Sequence, residues 1–366
     1  MLLVGTNIYW LVIKKKNDKH EEHQNESVLV NEDLERGAFP RKFSYQELVT
    51  ATNGFAEDRK LGRGGSGQVY KGMLNEIDRQ VAVKRIFQEF DHSERVFINE
   101  VKIISRLIHR NLVQFIGWCH EQDEFLLVYE YMPNGCLDAN LYGNRRTLSW
   151  EVRYKIVLGL ASAINYLHEE AEQCVLHRDI KSANVLLDTN FSTKLGDFGV
   201  AKLVDPRMRT QMSGVVGTLG YLAPEYVIEG RASKESDMYS FGVVALEIAC
   251  GKRTFQDGEY HVPLMRRVWD LYLAGNILEA ADERLEMKFD RNEMKRLLMV
   301  GLWCTHLKDN ERPKAGQVIK ALQLDSPMPE LPQDVHYPAM QPISLQQNGI
   351  GSLQPTITSS VIYSGR

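Results

Sequence analysis

The chain has 366 residues, enough to bury a sizeable core, with 44 Lys+Arg against 48 Asp+Glu and a formal net charge of -4. That balance excludes a general nucleic-acid binder, whose footprint is a net basic surface, so no nucleic acid is expected among the partners. The cysteines, 5 in number and scattered without a C-x-x-C pair, exclude a disulfide framework and fit a reducing compartment.

Residues 1–13 are apolar apart from Thr6 and Asn7, and Lys14, Lys15 and Lys16 follow at once. As a helix the run spans about 20 Å, short of a hydrocarbon core of roughly 30 Å. Charge behind the apolar run, not ahead of it, argues against a signal peptide. The order reads as a truncated transmembrane segment with a basic cytoplasmic stop, against the alternative of an apolar end on a soluble protein. Residues 14–42, charged and mixed in sign, read as a juxtamembrane linker. Ser44 and Glu47 have capping-box spacing and start a helix that Asn53 and Gly54 close. Residues 55–323 read as one domain, with short strands and one helix over 56–131 and mostly helices over 137–323. A cleft is expected at the join, near residues 130–135. Beyond residue 325 lie 6 of the 12 prolines, among Gln and Ser, so 325–366 reads as a disordered tail.

The segments that carry chemistry come in a fixed order. Leu61, Gly62, Gly64, Gly67 and Val69 lie in a G-x-G-x-x-G-x-V run. Glycines let backbone approach phosphates and leave amides free to bond them. A dinucleotide-binding turn uses the same glycines but opens a helix, whereas here a second strand follows, so a hairpin is expected. Lys84 ends Val81-Ala82-Val83-Lys84, where alternation puts Ala82 beside a base and the ammonium at its phosphates. Glu100, in a helical pattern, is read as the partner that orients Lys84. Next come His177-Arg178-Asp179-Ile180-Lys181-Ser182-Ala183-Asn184 and Asp197-Phe198-Gly199. Asp179 would take or orient a hydroxyl proton, Lys181 would neutralise a transferring phosphoryl group, and Asn184 and Asp197 offer the hard oxygens that Mg2+ needs. At the join, the backbone of Glu130 and Met132 would read an adenine edge, with Leu61, Val69, Ala82 and Leu186 on its faces and Tyr129 at the back. Together these imply phosphoryl transfer from ATP, with Lys181 and Thr218 pointing to Ser/Thr acceptors.

Three further residues are architectural: Glu225 with Arg312 as its expected partner, and Asp237 as a brace for the catalytic loop. Arg178 and Lys202 should converge near the segment that follows Asp197, where a phosphate on Ser213, or else Thr210, would pair with both. Thr218 itself is expected against Asp179.

On these motifs the chain resembles eukaryotic protein kinases over about residues 55–323. More narrowly it is similar to plant receptor-like kinases of the L-type lectin-domain group, through stretches such as FSYQELVTATNGF, FLLVYEYMPNG and ASKESDMYSFGVVALEIACG. The resemblance implies an α+β, bilobal kinase fold with a β-rich small lobe and a helical large lobe. It also implies ATP and Mg2+ as cofactors, protein substrates, and signalling at the cytoplasmic face of the plasma membrane, or in the cytoplasm where residues 1–13 do not insert. No stretch resembles the family's lectin domain, so carbohydrate recognition is not expected of these residues. Ser66 stands where the family often has Phe, and Ile180 where Leu is commoner. The rival reading is a pseudokinase kept as a scaffold, which would lack one of Lys84, Asp179 or Asp197; all three are present.

Overall fold

The computed structural model describes residues 40–87, 93–143, 147–204, 214–254, 263–323, 327 and 330–332. The apolar N-terminal run, most of the linker, Thr210, Ser213 and nearly all of the C-terminal tail lie outside the described residues. The small lobe comprises β1 (Arg41–Lys42), α1 (Tyr45–Ala51), β2 (Lys60–Arg63), β3 (Gly67–Leu74), β4 (Arg79–Ile86), α2 (Ser93–Ile104), β5 (Phe115–Glu121) and β6 (Glu124–Glu130). Its strands form one 6-stranded sheet in the order β1-β5-β6-β4-β3-β2. Pairing is antiparallel except between β1 and β5.

Successive strand residues point to opposite faces, and this alternation sorts the core. Val81, Val83, Leu126 and Val128 face outward into a cluster with Phe43 and Leu48. Ile86, Trp118 and Leu127 face the other way, against Phe97 and Val101 of α2. α1 starts where the sequence places it: Ser44 Oγ accepts the Glu47 amide at 3.2 Å. Glu47 does not complete the reciprocal cap; its carboxylate accepts from Arg41 at 2.9 Å. The helix ends on Thr52, just ahead of Asn53 and Gly54, which turn the chain with φ of 54° and 70°.

The large lobe holds α3 (Leu137–Tyr142), α4 (Trp150–Asn165), α5 (Pro224–Glu229), α6 (Lys234–Cys250), α7 (Pro263–Leu273), α8 (Arg291–Cys304) and α9 (Ala315–Leu322). Between α4 and α5 lie β7 (Val175–Leu176), β8 (Val185–Leu187), β9 (Thr193–Leu195) and β10 (Lys202–Leu203). β7 pairs with β10 and β8 with β9. These strands were not foreseen, because two or three residues carry no readable period.

α6 is the post of this lobe. A capping box of Ser233 and Ser236 opens it and Gly251, at φ 61°, closes it. Every residue from Ser236 to Cys250 is buried, so the helix shows no apolar stripe and is packed on all sides. Near its start, Asp237 accepts the amides of His177 at 2.8 Å and Arg178 at 2.9 Å, and contacts His168 Nε2 at 2.9 Å. Near its end, Glu247 accepts from the Tyr221 hydroxyl at 3.0 Å and the Thr254 amide at 3.1 Å. Beside it, Arg312 holds Glu225 through two hydrogen bonds of 2.7 Å.

Burial pushes the Glu247 carboxyl from its usual 4.5 up to about 7, against the pull of Thr254 and Tyr221. The folded chain then holds a proton that the unfolded chain has released between those values. The Glu247 contribution to stability therefore falls as pH rises through that window and levels off above it, by on the order of 1–3 kcal/mol. Glu247→Gln, neutral at every pH, should flatten the decline in urea titrations run below and above the window. Equal pH slopes in both proteins would contradict the raised value.

Candidate active site

Alternation along β4 brings Ala82 and Lys84 to the face that looks onto the large lobe, while Val81 and Val83 face away. Lys84 Nζ lies 2.8 Å from Glu100 Oε2 on α2 and 2.7 Å from Asp197 Oδ1 in the large lobe. Burial alone would lower the Lys84 ammonium, but the Asp197 and Glu100 carboxylates outweigh it and hold its pKa well above the usual lysine value. Burial would likewise raise the Asp197 carboxyl, yet Lys84, helped by Lys181 and His177, brings it down to about 2. Both groups are therefore charged at neutral pH.

Glu100 carries a second contact that the sequence did not disclose. The Tyr129 hydroxyl donates to Glu100 Oε1 at 2.5 Å, so the residue expected merely to fill the back of the cleft also fixes the carboxylate. Burial, followed by the Glu100 charge, pushes the Tyr129 phenol well up, which keeps it a donor. One residue earlier on α2, Asn99 Nδ2 reaches the Ala201 carbonyl at 3.1 Å and so ties the helix to the segment after Asp197. Its place beside Glu100 was the available signal.

A second cluster forms around Asp179. Lys181 Nζ lies 2.7 Å from Asp179 Oδ2 and donates to Thr218 Oγ1 at 2.8 Å, and that hydroxyl donates to Asp179 Oδ1 at 2.7 Å. Asn184 Nδ2 donates to the Asp179 carbonyl at 2.8 Å and to Oδ2 at 3.0 Å. With its nitrogen so committed, the amide oxygen of Asn184 is the atom left for a cation. Arg178 and Asp197 hold left-handed backbone, at φ 66° and 64°. Such a conformation costs a non-glycine residue about 1–3 kcal/mol and persists where surrounding contacts impose it. At Arg178 the imposing contact is Asp237.

Between the clusters lies a cavity. Val69, Ala82, Lys84, Glu100, Tyr129, Glu130, Met132, Asn184, Leu186 and Asp197 line it, joined by Ile104, Val113, Ala183, Gly196 and Phe198, which sequence reading missed. Ile104 and Val113 belong to no motif, and Ala183 and Phe198 stand in the quoted runs as apolar neighbours of Asn184 and Asp197. Leu61, Gly62, Gly64 and Gly67 are not among the lining residues. They build the β2–β3 hairpin, whose tip closes with a 2.8 Å bond from the Gly64 amide to the Gly67 carbonyl. Gly67 is required by its own neighbour strand, since a Cβ there would stand 2.3 Å from the Arg85 carbonyl oxygen. The chain beyond β6 pairs with β8, through the Leu187 amide on the Gly135 carbonyl at 2.9 Å. The bridge partner of Leu186 is Cys136, and Met132 and Leu186 both line the cavity.

Arg178 Nε donates to the Val200 carbonyl at 2.6 Å, two residues before Lys202, which pairs in β10 with Leu176. Arg178 thus contacts the segment that carries Lys202 and leads toward residues 205–213, which lie outside the described residues.

The sequence model of the family described as the protein kinase domain matches residues 55–322. Among curated proteins, the chain is 51% identical over 360 residues to L-type lectin-domain containing receptor kinase IX.1 of Arabidopsis thaliana, covering 97% of this chain and 55% of that protein. It is 48% identical over 342 residues to the Arabidopsis receptor kinase IX.2, covering 90% and 50%. To the L-type lectin-domain containing receptor kinase SIT1 of Oryza sativa subsp. japonica it is 43% identical over 354 residues, covering 96% and 51%. The chain thus spans about half the length of the curated relatives it matches. With the family match running over most of its length and a two-lobed fold around one polar cleft, this chain belongs to the protein kinase family.

Proposed function

We propose that the chain is a serine/threonine protein kinase that transfers the γ-phosphate of ATP to hydroxyls of protein substrates. The observation that carries this reading is the Thr218 hydroxyl, 2.7 Å from Asp179 Oδ1 and 2.8 Å from Lys181 Nζ. An aliphatic hydroxyl is thus accommodated between a carboxylate that can accept its proton and an ammonium that can neutralise an incoming phosphoryl oxygen. An acceptor Ser or Thr would take these same two partners. Adenine would lie between Val69 and Ala82 above and Leu186 below, with Leu61 at the mouth and the Glu130 and Met132 backbone at its edge. The turn of Gly62, Gly64 and Gly67 would offer amides to the phosphates, and Lys84, held by Glu100, would meet their charge.

The donor set fits magnesium: Asn184 offers an amide oxygen, and Asp197 stays ionised with one oxygen beyond its Lys84 contact. Bound by Asn184 and Asp197, the ion supplies charge neutralisation on the phosphate oxygens. Lys84→Met, Asp179→Asn and Asp197→Asn should each cut phosphate transfer from labelled ATP to a generic basic protein by about 100-fold or more. Circular dichroism must show each variant folded. Phosphoamino-acid analysis of the wild-type product should give phosphoserine and phosphothreonine; mainly phosphotyrosine would overturn the acceptor assignment, and a wild-type rate in folded Asp197→Asn the catalytic one.

The relatives' names describe receptor kinases, and residues 1–13 are apolar ahead of a lysine cluster. We therefore place the chain in receptor-like signalling at the cytoplasmic face of the plasma membrane. Among the described residues no helix is long and apolar enough to cross a membrane. Residues 1–13 should confer weak, reversible membrane affinity. An alkaline carbonate wash should release the protein, and full retention in the pellet would contradict weak attachment.

The switch rests on Arg178 and Lys202. A phosphate of charge about -1.5 to -2 on Ser213 or Thr210 would pair with both and order the segment for substrate. Mass spectrometry after incubation with ATP and magnesium should find phosphate at one of these positions, and the Ser213→Ala/Thr210→Ala double variant should be slower. Equal rates would remove the switch while leaving the catalytic assignment intact.

A further inference from the structure

The family match begins at residue 55, yet the small lobe begins earlier. β1, the edge strand of the sheet, pairs in parallel with β5, Arg41 opposite Gly117 and Lys42 opposite Trp118. The Phe43 amide continues the ladder onto the Trp118 carbonyl at 2.8 Å, and the Tyr45 amide is held by Glu121 Oε2 at 2.8 Å. Phe43 and Leu48 are 1% and 0% exposed, packed on the outer face of the sheet against Val81, Val83, Leu126 and Val128. One glycine makes room. A Cβ on Gly117 would stand 1.9 Å from the Arg41 carbonyl oxygen and 2.6 Å from the Phe43 ring. The sheet surface is therefore cut to receive residues 41–52.

What lies on the other face gives this layer its meaning. Val83, against the outer layer, sits between Ala82 and Lys84, which line the cavity. Val128 immediately precedes Tyr129, whose hydroxyl holds Glu100. At β5, Trp118 carries the β1 contact through its backbone, while its ring stands 6.0 Å from that of Phe97 on α2, one turn before Glu100. Packed interiors transmit displacement because they lack free volume. We propose that residues 41–52 are a positioning element of the nucleotide site, a backing layer that fixes the depth and tilt of β4, β6 and α2, and hence where Lys84 and Glu100 meet the phosphates. This rests on the kinase reading for what the site binds, but its effect on the site is read from nucleotide binding as well as from catalysis.

The test uses the full chain with Phe43→Ala, Phe43→Leu and Gly117→Ala, none of which touches the cavity. Affinity for a fluorescent ATP analogue, KM for ATP, kcat and melting temperature are measured on protein shown folded by circular dichroism. Phe43→Ala and Gly117→Ala should weaken nucleotide affinity and raise KM for ATP by about tenfold, the scale of a small misplacement in a reacting site. Phe43→Leu, which refills the outer face, should restore most of the loss. If Phe43→Ala does not fold, Leu48→Val, shorter by one methylene, is read in the same way. A lowered melting temperature with unchanged affinity and KM would overturn the proposal and leave a stabilising layer only. Normal nucleotide response in the variants' favour cannot be confused with failure of the kinase reading, which would appear as wild-type protein that binds nucleotide and transfers no phosphate.

Discussion

One ammonium joins the two lobes of this molecule. Lys84 stands on the small-lobe sheet, Glu100 on the helix packed against it, and Asp197 in the large lobe, all within 2.8 Å of Nζ. A buried charge is tolerable only when paired and hydrogen-bonded, and here two carboxylates share one cation. The cluster is left one negative charge in excess. The Tyr129 hydroxyl relieves part of it at Glu100. The remainder sits on Asp197, whose side chain keeps 31% of its exposure and opens to the cavity. On the proposed kinase reading, a cation would sit next to Asp197 and a phosphate next to Lys84.

The loop that carries Asp179 gets its shape from elsewhere. Asp179 does not lie in a regular element; its backbone is set by Asp237, which draws in the His177 and Arg178 amides, and by Asn184 from within the loop. Asp237 and Glu247 are anchored on the same buried helix, so the Asp179 loop and the Tyr221 segment take their positions from a single rigid body. The left-handed backbone at Arg178 shows the direction of control. A strained residue held by a buried carboxylate is shaped by the scaffold and not by its own preference.

Much of the cleft was legible because its chemistry is packed into short contiguous runs. Val81-Ala82-Val83-Lys84 gives both strand period and face, and the run from His177 to Asn184 contains its own internal contacts. Contacts between distant segments were not legible. Nothing near Tyr129 indicates that its hydroxyl meets Glu100, 29 residues earlier. The apolar lining at Ile104 and Val113 looks like any core. Gly67 is instructive: its place in a glycine pattern suggests phosphate approach, while the close Arg85 carbonyl supplies a steric requirement that no pattern discloses. Arg41 and Lys42, charged and next to a polar run, look like the end of a linker, yet they form an edge strand, because parallel pairing with β5 asks only for backbone.

That edge strand turns Gly117 into a marker. Only a residue without a side chain lets a second backbone come as close as Arg41 does here, so the glycine records the strand's presence within the domain itself. In any related chain the residue at this point of β5 reports whether a preceding segment can dock in this register: glycine permits it, and every larger residue closes the berth. A comparative survey of this one position would therefore sort relatives by how they enter the catalytic domain, without a structure for any of them.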